Sequence, residues 1–105
     1  MDVGASPDKK FSSNYQAGAL SFEIISNGKK LICNSGYYQD YNHQLNDLSK
    51  SSAIHSSLII DDTSSCKFNK TKNKSSKITQ NLKILKKNII FEKNYWKINA
   101  THDGY

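Results

Sequence analysis

A chain of 105 residues with a mean hydropathy of -0.68 has the size of one small domain, which excludes a large multi-domain enzyme. No apolar run exceeds four residues, against the roughly 18 that a membrane-spanning helix needs, so no membrane span is expected. The net charge is +6 and every cation is Lys; without Arg, the residue of bidentate phosphate and guanine recognition, no nucleic-acid partner is expected despite the basic balance.

Residues 1–18 read as a lead-in segment, and Met1–Asp8 lacks the basic patch and apolar stretch of a secretory signal. In Ala19–Ile25 the apolar Leu20, Phe22 and Ile24 alternate with Ser21 and Glu23, the period of a half-buried strand with those three side chains on one face. Asn27-Gly28 then suits the two positive φ angles of a type I′ turn, and Lys30–Asn34 returns antiparallel as far as Gly36. The polar stretch from Tyr37 to Ser52 has no sustained period and reads as a long ordered loop with one helical turn near Leu45–Leu48.

Ser57–Asp61 reads as a third short strand, closed by the turn-prone Asp61–Ser65. Residues 67–77 hold five Lys with only Phe68 apolar, the composition of an exposed or mobile loop. Ile78, Leu82, Leu85 and Ile89 recur at helical spacing, yet Lys93-Asn94 between Asn88–Glu92 and Tyr95–Thr101 makes a hairpin; strands from about residue 82 onward are the better expectation. The fold class expected is all-β, an antiparallel sheet or sandwich, and its bare edges read as part of a larger architecture.

Taken together, Tyr15–Glu23, Asn27–Gly36 and Ser52–Asp62 resemble successive blocks of the C-terminal region of heparinase II/III-like proteins, and Trp96–Tyr105 is similar to a further block. The resemblance implies that residues 19–105 form part of a C-terminal β domain, with the Lys-rich loop at 67–77 as an insert. It implies a parent polysaccharide lyase in which an α/α toroid precedes stacked antiparallel β-sheets. Such an enzyme cleaves uronate-containing, acidic polysaccharide by β-elimination: a base takes the C5 proton, the carboxylate is neutralised, and the bond to the O4 leaving group breaks. Because the main Tyr and His groups of that chemistry come largely from the toroid, no catalytic residue is assigned here and the chain alone is expected to be inactive. A cell-envelope or periplasmic location goes with the family.

The family's metal-type His falls on His55, so a divalent ion such as zinc in the parent would involve His55. The Asp of the second apolar strand falls on Asn34, a neutral and weaker oxygen donor. The His before the first strand falls on Gln16, which can hydrogen-bond a sugar but cannot carry a proton near neutral pH. Tyr37, Tyr38 and Tyr41 either stack on sugar rings or pin the long loop onto the sheet. The expected partners are an acidic polysaccharide and the remaining parts of the parent chain. The rival reading is a non-catalytic β-sheet carbohydrate-binding or surface-assembly module, which Gln16 and Asn34 would allow.

Overall fold

The computed structural model describes residues 1–73 and 75–105; Lys74, within the expected Lys-rich loop, lies outside the described residues. The chain is all-β, as expected, but its strands form three separate two-stranded antiparallel hairpins rather than one continuous sheet. These are β1 (Ile24–Ser26) with β2 (Lys29–Ile32), β3 (Phe68–Lys70) with β4 (Ser76–Ile78), and β5 (Ile84–Phe91) with β6 (Trp96–His102). Among the described residues, helix is confined to α1 (Gln44–Leu48) and two 3-10 turns, Lys9–Asn14 and Ser52–Ile54.

The turn expectations hold where the backbone demands them. Asn27 and Gly28 have φ of 49° and 72°, the left-handed pair of a type I′ turn that joins strands of right-handed twist. Lys93-Asn94 sits in the connection between β5 and β6, which Glu92 closes by donating its N–H to the Tyr95 carbonyl at 2.8 Å. The helical turn at Leu45–Leu48 is α1, whose first turn is capped by Nδ1 of His43 accepting from Leu45 N at 3.2 Å.

Three expectations are corrected. The strand expected over Ala19–Ile25 begins only at Ile24. Leu20 is left-handed at φ 60°, and its N–H donates to the Asp2 carbonyl at 3.0 Å, while Asp2 N donates to the Ser21 carbonyl at 2.7 Å. The N-terminus therefore takes the backbone groups that a β partner would have used, and Phe22 and Ile24 remain exposed rather than facing a core with Leu20. At Ser57–Asp61 a single bridge, Ile60 to Thr63, replaces the strand, because Asp61 and Asp62 are both left-handed and reverse the chain at once.

The Lys-rich segment is largely a hairpin. Ile78 is fully buried and Phe68 packs beside it, so these two residues anchor the pair, while Lys70 is ion-paired with Asp47 at 2.6 Å and Lys77 donates to the Lys10 carbonyl at 3.2 Å. Thr71 N donates to the Ser75 carbonyl at 2.8 Å across its end.

The core is small: Ala17, Ala19, Cys66, Ile78 and Leu82, with Tyr15, Phe68 and Ile84 against it. Serines complete it, Ser12 and Ser52 fully buried and Ser6 half-buried, by tying segments together. Ser12 Oγ accepts from Ile78 N at 3.1 Å and donates to the Lys9 carbonyl at 2.8 Å, Ser6 Oγ accepts from Leu82 N at 2.7 Å, and Ser52 Oγ donates to the Ala17 carbonyl. Residues of the lead-in segment are thus part of the packing, since a buried N–H without an acceptor would cost about 1–3 kcal/mol.

Candidate functional site

Two of the residues singled out in the sequence, His55 and Asn34, lie in one neighbourhood beside the turn that replaces the expected strand, and Gln16 enters that turn through its backbone. Gln16, half-buried, offers its carbonyl to Gly18 N at 2.8 Å, which begins the Gly18–Ser21 turn. Gly18 lies against His55: a Cβ at position 18 would stand 3.5 Å from Cγ of the imidazole and 3.1 Å from Ser21 Oγ. Glycine there lets the turn close on the ring.

His55 ends the 3-10 turn Ser52–Ile54, donating its N–H to the Ser52 carbonyl at 3.1 Å, and is 8% exposed. Its Nε2 is buried with no hydrogen-bond partner. Burial depresses the pKa of the ring below its ordinary value, against smaller opposing contributions from the Ser49 backbone and the Asp2 carboxylate, so the imidazole is held neutral.

Asn34 joins the same neighbourhood through Ser56. Its Oδ1 accepts from Ser56 N at 2.9 Å and lies 3.0 Å from Ser56 Oγ, and that hydroxyl also accepts from Phe22 N at 3.1 Å. Asn34 N donates to Glu23 Oε1 at 3.1 Å. The amide therefore fastens the end of β2 to the residue after His55. Ser56 is a residue that sequence reasoning missed, and nothing in a local pattern marks a serine that bridges segments 34 residues apart.

The tyrosines divide. Tyr37 is half-buried, and its hydroxyl donates to Asn14 Oδ1 at 3.2 Å and accepts from Asn46 Nδ2 at 3.0 Å; it pins the loop. Tyr41 donates to the same Asn14 oxygen at 2.8 Å. Beneath them Lys50, only 1% exposed, donates to the carbonyls of Ser13 at 2.6 Å and Ser76 at 3.0 Å, with the rings of Tyr37, Tyr41 and Phe68 about its ammonium at 5.8–6.0 Å. Tyr38 is exposed, its ring 5.0 Å from that of His43 at an interplanar angle of 44°.

Tyr37 and Tyr38 line an open cleft of about 230 Å³ with Ser35, Gly36, Leu45, Leu48, Ser49 and Ile54. Its walls adjoin the residues above: Ser35 follows Asn34, Ile54 precedes His55, and Ser35 N donates to the Ile54 carbonyl at 3.3 Å. A shallow, mostly apolar cleft with an exposed phenol at its mouth can take a flat ring and hydrogen-bond its edge.

Zinc needs three or four nitrogen, sulfur or carboxylate donors within reach of one another. His55 Nε2 is an unspent donor atom, but Asn34 Oδ1 is already taken up by Ser56, and among the described residues no three His, Cys, Asp or Glu side chains gather. The donors of this chain do not by themselves fit a zinc centre. Among the described residues no helix is long and apolar enough to cross a membrane.

The fold is small and all-β, with a buried histidine beside Gly18 and a separate tyrosine-lined cleft. The chain belongs to the family described as heparinase II/III-like, C-terminal, whose model matches residues 1–105, the whole of it and so also the lead-in segment. Comparison with curated proteins and with solved structures finds no match.

Proposed function

We propose that this chain is β-domain sequence of a polysaccharide lyase that cleaves acidic, uronate-containing polysaccharide by β-elimination, and that its own part is to contact the polymer rather than to abstract the proton. The observation that carries the reading is the family match over the whole chain, joined to a cleft lined by the exposed Tyr38 and by Ile54, the residue before His55. Proton abstraction beside a carboxylate needs a base whose pKa lies near the working pH and whose nitrogen reaches the substrate. Gln16 has no such pKa, and His55 is buried with its pKa depressed. A divalent ion in the parent would draw His55 from this chain. A cell-envelope or periplasmic site of action follows from a polymeric substrate of this kind.

Two readouts test the proposal. Incubated with uronate polymers, the 105-residue chain should give no rise in the ultraviolet absorbance of a C4–C5 unsaturated uronate, while binding their oligosaccharides saturably. Tyr38→Ala should weaken that binding about threefold to tenfold, the worth of one exposed aromatic contact. Robust product formation by the chain alone, or unchanged affinity in Tyr38→Ala, would contradict it.

A further inference from the structure

The β5–β6 hairpin takes no part in the cleft, yet one of its faces gathers unspent polar chemistry. In its antiparallel register Lys86 lies opposite Thr101, Asn88 opposite Asn99, and Ile90 opposite Lys97. Side chains two residues apart along a strand share a face, so these three pairs form one ladder spanning about 13 Å. Lys86, Asn88, Asn99 and Thr101 line an open groove of about 460 Å³, together with Met1, Ile98 and Ala100. All four, and Lys97, are exposed. The recorded ion pair, Lys70 with Asp47, lies elsewhere, and among the described residues no hydrogen bond occupies these five side chains.

We infer that this face is a second binding site, built from different elements than the cleft, for an anionic saccharide. Each sugar hydroxyl both donates and accepts, and an Asn amide carries both capacities on one rigid plane; Asn88 and Asn99 set two such planes side by side. Lys86 and Lys97 stand diagonally on either side of the amide pair, where compact cations meet a carboxylate or sulfate. The face has no aromatic ring on which a nucleobase could stack, which favours a sugar acid over a nucleic acid. The aromatic Phe91 and Trp96 lie on the opposite face, paired with each other at the end of the ladder. The choice of a uronate as the sugar rests on the function proposed above.

Affinity electrophoresis of the full chain through gels carrying a polyuronate, a sulfated uronate polymer, a neutral glucan or duplex DNA tests the site. The variants are Asn88→Ala/Asn99→Ala, Lys86→Gln/Lys97→Gln and Tyr38→Ala, with circular dichroism to show that these exposed substitutions leave the fold intact. The wild type should be retarded by an acidic saccharide and not by the glucan. Each hairpin pair should weaken retention about tenfold, and the lysine pair should also flatten its salt dependence. Retention that survives both hairpin pairs but is lost in Tyr38→Ala would overturn the second site while sparing the proposed function. Loss confined to the lysine pair, or equal retention by DNA, would reduce the site to charge attraction and overturn it. A wild type that no acidic saccharide retards would overturn both.

Discussion

His55 is held neutral by its surroundings, and this gives the domain a pH signature. A histidine whose folded pKa lies below its ordinary 6.5 binds protons more readily when the chain unfolds, so stability is fullest above pH 6.5 and falls as the pH drops through that value. Asp47, by contrast, is pushed up by burial but drawn further down by hydrogen bonds from Lys70 and Ser76, and its contribution is lost only in more acid solution, below the ordinary 3.8. Thermal unfolding between pH 7.5 and 5 should therefore show a falling midpoint, and the fall should be shallower in His55→Phe. An equal slope in that variant would mean that His55 is not the titrating group. Sequence marked His55 as the residue to watch, but its closure by Gly18 and the bridge of Ser56 to Asn34 join segments far apart in the chain, and no local pattern carries them.

The elements differ in how far they can be read in advance, and the difference lies in who satisfies their backbone. Asn27-Gly28 and Lys93-Asn94 fix their hairpins locally, so both turns were legible. Ala19–Ile25 alternates like a strand, yet Asp2 and Ser56 take the backbone groups of Leu20–Phe22, a competition decided by residues outside the window. The Lys-rich 67–77 misled in the opposite sense: despite its charge, Phe68 and the neighbouring Ile78 dock a hairpin on the core. Where the turn itself sets the element, the residue at positive φ should matter most. Gly28 has φ of 72° and no heavy atom within 4 Å of an added Cβ, so Gly28→Ala isolates the cost of the left-handed backbone without a clash. Chemical denaturation should show a loss of about 1 kcal/mol; a neutral result would mean that the β1–β2 turn relaxes to another type.

At the scale of the molecule the core is modest and the periphery apolar. The radius of gyration is 14.9 Å, against about 13 Å for a compact chain of this length, and the long axis reaches 51 Å. Phe91 and Trp96, 77% and 65% exposed, sit on the β5–β6 hairpin, while its other face carries amides and lysines. Such a shape suits a domain that presents surfaces, and we propose that two of them, the Tyr38 cleft and the Asn88–Asn99 face, meet an acidic saccharide. Charge is the common thread: with fifteen Lys and no Arg, the chain meets anionic groups as point charges. The most direct measurement is calorimetric titration of the 105-residue chain with a uronate oligosaccharide and with the same oligosaccharide after its carboxylates have been reduced to alcohols. The acid form should bind saturably and more weakly as salt rises, and the reduced form little or not at all; equal binding of the two, or no binding of the acid form, would contradict the proposed role.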